Sequence, residues 1–235
     1  MGDEGKRDWR WRRREPAAFT WPRRALYRAG WVLTRWVAAP LLGGLEVAGV
    51  ENIPREGGAV IAPNHNSHLD PPYVGAALPR PTYFMAKREL FEVPIFGWLI
   101  YNVFAYPVER GTPDRFAIRK AIELVSAGHL LLIFPEGTRS PDGTIQEGEL
   151  GPAMVAGRAG VPIIPCAVSG TRRILPPGAK WPRRARTYVA FGEGVWVEAK
   201  GDERLARSAL ETATRELMAR IRALHAELEA KRRDR

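Results

Sequence analysis

The chain has 235 residues, 45% of them hydrophobic, which suits one domain of ordinary size with a substantial core. Its single cysteine, Cys166, excludes a disulfide framework and a cysteine-rich zinc module. The formal net charge of +10 points to anionic partners.

Residues 1–18 are polar and charged, and they read as a flexible basic N-terminus. Residues 1–36 hold ten Lys and Arg against four acids, together with five of the eight tryptophans: Trp9, Trp11, Trp21, Trp31 and Trp36. Cations beside tryptophans suit an anionic bilayer surface, where the cation meets headgroups and the indole sits at the interface. Nucleic acid is the competing partner for a basic chain. No zinc-finger or RNA-recognition signature appears, so no nucleic-acid partner is expected. Residues 19–44 read as a membrane-associating helical segment. The apolar stretch from Trp31 to Leu45 is broken by Arg35, so it is expected to lie in the interface rather than cross it. An ordinary core helix is the alternative. No secretory signal is evident. The longest run without Asp, Glu, Lys or Arg, Val93–Val108, has sixteen residues and includes Pro94 and Pro107. A spanning helix needs about 20 mainly apolar residues. The expectation is a peripheral or monotopic protein at the cytoplasmic face of the cell membrane.

From residue 45 to the end, one layered α/β domain is predicted. "GLEVAGVENIP" reads as a strand and turn, and "GGAVIAPNH" as a buried strand bounded by Gly and Pro-Asn. Asp70-Pro71 is a helix start, with Asp as cap and Pro at the first position. "TYFMAK", "FAYPVER" and "HLLLIFPEG" are further buried strands. Between the last two, residues 112–128 form an amphipathic helix whose apolar set is Phe116, Ile118, Ala121, Ile122 and Val125. Gly128 closes it. "ELGPAMVAGRAG" is a helix, "VPIIPCAVSG" and "ARTYVAFGEGV" are strands, and residues 202–233 form a long charged helix. The alternation implies a mixed, largely parallel sheet flanked by helices. A second basic cluster, Arg172, Arg173, Lys180, Arg183, Arg184 and Arg186, contains no acid and reads as a bilayer contact or a solvated face.

The polar residues gather at strand ends. Asn64–Asp70, Glu109–Gly111 and Pro135–Ser140 each follow a buried strand, and ligands of α/β sheets sit beyond the carboxyl ends of strands. "NHNSHLD" (64–70) admits several readings. A metal site would use His65, His68 and Asp70, but the other histidines, His129 and His225, stand apart and the ligand supply is thin. A nucleophile would be Ser67 or Cys166. Ser67 lacks a Gly-x-Ser-x-Gly context, and Cys166 lies in an apolar strand. An acid–base pair needs only His65 and Asp70, with Asp70 folding back across a tight turn to reach the ring. The plain alternative is a capping aspartate beside a surface histidine.

Four blocks extend the pattern. "NHNSHLD", "YPVERG" (106–111), "FPEGTRS" (134–140) and "VPIIPCAVSG" (161–170) stand in the order and spacing of the glycerolipid acyltransferases. They most resemble the bacterial 1-acylglycerol-3-phosphate acyltransferases. The resemblance covers about residues 45–192, and "MAKRELFEVPIFGWL" and "EGTRSPDG" extend it between the blocks. It implies His65 as general base on a glycerol hydroxyl and Asp70 as its orienting partner. It implies that Arg110 and Arg139 bind the substrate phosphate, a match for the guanidinium fork. Lys87 is a further cation candidate. Glu136, Gly137 and Thr138 would shape the turn, with Glu136 fixing Arg139 or the glycerol. Val93–Val108 would line an acyl groove, or serve as plain core. The implied partners are lysophosphatidate, an acyl-CoA or acyl-carrier-protein thioester as co-substrate, and an anionic membrane; no cofactor or metal is called for. Two departures stand out. Tyr106 and Glu109 replace the usual Phe and Asp, and Gly148-Glu149 replaces an aromatic and a basic residue, which removes one possible phosphate contact.

Overall fold

A computed structural model describes residues 16–109, 114–198 and 207–234. Seven strands form one sheet: β1 (Leu45–Ala48), β2 (Ala59–Pro63), β3 (Thr82–Lys87), β4 (Ala105–Val108), β5 (Leu130–Leu132), β6 (Ile163–Ser169) and β7 (Thr187–Phe191). Their order is β1-β7-β6-β2-β5-β3-β4. Every neighbouring pair is parallel except β6–β7. The sheet is therefore mixed and largely parallel, as the alternation of elements predicts. The five strands from β6 to β4 share one direction, so their carboxyl ends share one edge.

Both faces of this block are covered, which is why its strands read as continuous apolar runs rather than alternating ones. Successive side chains still point to opposite faces. Val60, Ala62, Leu131 and Ile133 enter one core with Ala117, Ala121, Ala153, Ala156, Leu217 and Ile221. Those partners come from α4 (Arg115–Ser126), α5 (Gly151–Ala159) and α7 (Arg207–Arg233). Ala59, Ile61, Leu130 and Leu132 enter the opposite core with Val74, Ala77 and Leu78, contributed by α2 (Asp70–Ala77) and the residue after it. The helix predicted over residues 112–128 is realised as α4, whose Asp114 caps it by accepting the Ala117 N–H at 2.9 Å. The long terminal helix is realised as α7; residues 199–206, where its predicted start falls, lie outside the described residues.

The N-terminal helical segment is also present. Helix α1 runs through Trp21–Val32, a wide-turn stretch at Leu33–Ala38 and a last turn at Ala39–Leu41. It packs outside α2 and beside α3 (Phe96–Asn102), where Arg23 Nε donates to Asn102 Oδ1 at 3.1 Å. Trp21, Leu33, Trp36 and Leu41 on it are exposed. No helix among the described residues is long and apolar enough to cross a membrane.

One expectation is corrected here. Val93–Val108 does not line a single groove. Its first half forms an exposed loop and the start of α3, and its second half becomes the buried strand β4. Pro94 and Gly97 turn the chain, and Val93, Ile95, Phe96, Trp98 and Leu99 are left exposed.

Candidate active site

His65 follows β2, the strand between β6 and β5 at the middle of the seven-stranded sheet. Asn64 fixes where that strand ends. Its amide donates to Val168 O at 3.1 Å and accepts the Val168 N–H at 2.7 Å, so a side chain continues the β2–β6 ladder. The next five residues turn tightly, and Asp70 closes the turn. Its Oδ2 accepts the Asn66 N–H at 2.6 Å, the Ser67 N–H at 2.7 Å and the His65 Nδ1 proton at 2.9 Å. Its Oδ1 accepts the Thr171 hydroxyl at 2.5 Å.

The capping reading of Asp70 is thereby corrected. The helix begins at Asp70 itself, after Leu69, and no side chain caps its first N–H groups. The carboxylate points backwards, into the loop that carries His65. It is fully buried, and buried carboxylate oxygens need hydrogen-bond donors of this kind in place of water. With Nδ1 committed as donor to Asp70, the basic lone pair of the imidazole lies on Nε2.

The ring plane is fixed by Phe134, which stacks on His65 with centroids 3.8 Å apart and planes 21° from parallel. Glu136 fixes the backbone. Its Oε1 accepts the His65 N–H at 2.8 Å and its Oε2 the Gln146 N–H at 2.9 Å, while Ser140 N donates to His65 O at 2.8 Å. Burial pushes the Glu136 carboxyl above its ordinary range, against the pull of the two amides. Glu136 therefore ties the β2 and β5 loops together rather than holding Arg139. Gly137 takes φ +66, the left-handed conformation that its turn requires, so its predicted role in tight backbone is met. Thr138 and Arg139 beyond it are exposed. Arg139 is close enough to His68 to help lower that imidazole's pKa, after the larger effect of its partial burial.

The remaining candidates sit less centrally. Lys87, at the end of β3, pairs with Glu89 at 3.0 Å and reads as an exposed strand-end lysine. Arg110 and Gly111 lie outside the described residues. Their flanks are joined, since Asp114 Oδ2 accepts the Glu109 N–H at 3.1 Å. His68 is exposed, and among the described residues no group of three or more His, Cys, Asp or Glu is arranged to hold a metal ion. Ser67 Oγ accepts the Leu69 N–H at 3.2 Å as a turn-forming group. Cys166 is sealed in β6, and burial raises its thiol pKa well above the ordinary range. Sequence reasoning passed over Thr171, which opens α6 (Thr171–Ile174) just after β6. The signal was there: a hydroxyl residue behind Gly170 at the end of a buried strand.

A cavity of about 860 Å³ opens beside the stacked ring. Met85, Val108, Ile118, Ile122, Phe134 and Met154 supply its apolar wall, and Glu149 stands near its Gly137 rim. It takes only Val108 from the run expected to form a groove.

The arrangement has counterparts among known proteins. The family model for Acyltransferase matches residues 44–169. A chloroplastic 1-acyl-sn-glycerol-3-phosphate acyltransferase of Brassica napus is 33% identical over 138 residues, 57% of this chain and 40% of that protein. The 1-acyl-sn-glycerol-3-phosphate acyltransferase of Bacillus subtilis is 35% identical over 136 residues, 57% of this chain and 67% of that protein. The chain thus spans well under half of the plant relative and two thirds of the bacterial one. The crystal structure of the 1-acyl-sn-glycerophosphate acyltransferase PlsC from Thermotoga maritima superposes with a TM-score of 0.64 at 25% identity, over 86% of this chain and 79% of that one. With a family match across more than half its length and the same fold around the His65–Asp70 pair, the chain belongs to the Acyltransferase family.

Proposed function

We propose that the protein transfers a fatty acyl group from an acyl thioester to the sn-2 hydroxyl of 1-acylglycerol 3-phosphate, giving phosphatidate. The observation that carries this reading is the buried His65–Asp70 pair at 2.9 Å, presented at the carboxyl edge of the sheet beside a cavity with an apolar wall and an exposed arginine. His65 Nε2 takes the proton of the acceptor hydroxyl as its oxygen attacks the thioester carbonyl. The C–O bond forms, a tetrahedral oxyanion develops, and its collapse breaks the C–S bond. The expelled thiolate takes the proton back from His65. Asp70 orients the ring and stabilises the imidazolium between the two transfers. The nucleophile is the substrate's own alcohol, so neither Ser67 nor Cys166 is required. Arg139 would meet the acceptor phosphate, and the cavity would take an acyl chain. Substrate and product are both lipids, and the exposed tryptophans of α1 suit peripheral attachment to an anionic bilayer at the cytoplasmic face.

The test is a mass-spectrometric product assay with lysophosphatidate and acyl-CoA or acyl carrier protein as donor. His65→Ala is expected to lower turnover by about 10²–10⁴. Arg139→Ala is expected to raise the KM for lysophosphatidate and to leave an acceptor without phosphate unaffected. Near-normal turnover by His65→Ala would overturn the mechanism.

One observation favours a second acceptor class. The Glu149 carboxylate lies against Gly137, with Oε1 only 2.7 Å from where a Cβ there would stand. An acid at that rim suits an amino-bearing lyso-lipid better than it suits a bare phosphate. An acceptor panel including a lyso-amino-lipid separates the two.

A further inference from the structure

We propose that the loop Val93–Leu99 is a second membrane-inserting element, independent of α1, which dips into an anionic bilayer and sets the active-site edge against it. The proposal extends the lipid-acyltransferase reading and shares its premise that the substrate is drawn from a bilayer.

The loop is built to hold apolar side chains outward. Ile95 is 83% exposed and Trp98 61%, and Val93, Phe96 and Leu99 beside them are also exposed. Such a contiguous patch marks an interaction surface, where a scattered apolar residue would not. Ile95 has φ +64 and ψ −53, and the Phe96 N–H donates back to Pro94 O at 2.6 Å, which closes a three-residue turn of the rare γ type. A β-branched residue in that conformation is strained, and nothing in folding rewards the choice of isoleucine there. Gly97 makes the turn possible, since a Cβ on it would stand 2.1 Å from Phe91 O. The chain thus maintains a costly turn whose product is an isoleucine aimed into solvent.

Charge and position select the partner. The loop follows β3, whose carboxyl end lies on the same edge as His65. Across that edge, the connection from β6 to β7 carries Trp181, 81% exposed, with Arg173, Lys180, Arg183 and Arg184 exposed around it. Its residues from 171 to 186 include no carboxylate. The rim around the dyad therefore has an apolar point on one flank and an interfacial tryptophan among cations on the other. That combination matches a bilayer with anionic headgroups, and α1 adjoins the loop through the Arg23–Asn102 contact.

The test uses the full chain and vesicles of phosphatidylcholine with phosphatidylglycerol. An environment-sensitive fluorophore on Ile95→Cys is expected to shift to the blue on vesicle addition and to be quenched by spin-labelled acyl chains. Cys166 is fully buried and does not compete for the label. The double variant Ile95→Ser/Trp98→Ser, with α1 intact, is expected to lower vesicle partitioning by at least about tenfold. Its thermal midpoint and its turnover of short-chain, water-soluble acceptors should match the parent. An unshifted fluorophore together with parental partitioning would overturn the proposal. So would a blue shift that appears without vesicles and grows with protein concentration, because a second copy of the chain would then cover the patch. Insertion of the loop with no acyl transfer to any lyso-lipid would sustain the proposal and overturn the enzymatic reading instead.

Discussion

Replacing Thr171 by valine removes one hydrogen bond from Asp70 and almost nothing else. The hydroxyl and the carboxylate are both buried, the bond is 2.5 Å long, and Thr171 is the only partner of Asp70 Oδ1 among the described residues. Valine fills the same space, so no cavity opens. A hydrogen bond to a charged group contributes about 1.5–3 kcal/mol, and an unsatisfied buried carboxylate oxygen places this one toward the upper end. For a chain of this size each kcal/mol moves the thermal midpoint by about 2–4 °C, so Thr171→Val should melt roughly 5–10 °C below the parent. Turnover should respond less. Oδ2 keeps the His65 ring and the Asn66 and Ser67 amides, so the geometry of the pair survives. If less than half of the lost energy reaches the transition state, the rate falls by under about tenfold, since 1.36 kcal/mol is a factor of ten. Thr171→Ser retains the hydroxyl and should restore both quantities. The assay is thermal unfolding by circular dichroism alongside the product assay. A Thr171→Val protein that melts with the parent would refute the reasoning, because it would mean that Oδ1 finds other donors at no cost.

Asp70→Asn should lower turnover by about 10²–10⁴ in the product assay, since an amide cannot stabilise the imidazolium. It should also destabilise the fold, because the NH2 that replaces one carboxylate oxygen cannot accept the hydrogen bonds which that oxygen now receives. Burial raises the Glu136 carboxyl above its ordinary value, so the folded chain binds this proton more tightly than the unfolded chain does. Its contribution to stability is complete below the ordinary carboxylate range and is lost as pH rises through the folded value. Denaturant midpoints of the parent from pH 4 to 7 should carry that downward slope, and those of Glu136→Gln should lack it. Gly170→Ala should cost at least about 2 kcal/mol in the same measurement, because Gly170 has φ +96 and a Cβ there would meet Arg186 O at 2.1 Å.

The layered sheet was legible because its strands are short apolar runs between turn residues, and the parallel order follows from helices that intervene between them. The spacing of His65 and Asp70 admitted an acid–base pair beside a metal, nucleophile or capping role, and the resemblance of the four blocks to the glycerolipid acyltransferases selected it; the two side chains meet at 2.9 Å. What escaped depends on contacts distant in sequence. Thr171 reaches Asp70 across 101 positions, and Glu136 reaches His65 across 71. Neither partner is implied by local pattern, and the role of Glu136 as a bracket between two loops was not foreseen. The pairing of Lys87 with Glu89 at 3.0 Å was likewise not foreseen. The apolar run Val93–Val108 misled for a different reason. Hydrophobicity alone does not separate a residue facing the core from one facing outward, and this run holds both, with Trp98 exposed and Phe104 buried.

The orientation of Asp70 decides between the two readings that its sequence left open. A cap would aim its carboxylate at the N–H groups of its own helix, and the helix would then stabilise the charge through its dipole. Here the four donors are two loop amides, an imidazole and a threonine hydroxyl, and none belongs to α2. The first turn of α2 accordingly forgoes a side-chain cap, which typically contributes about 1 kcal/mol, with Pro71 setting its backbone instead. A fold that needed only stability would have turned the carboxylate the other way. The loss is understandable if the carboxylate is required on the far side, where it fixes one tautomer of His65 and leaves Nε2 as the basic nitrogen.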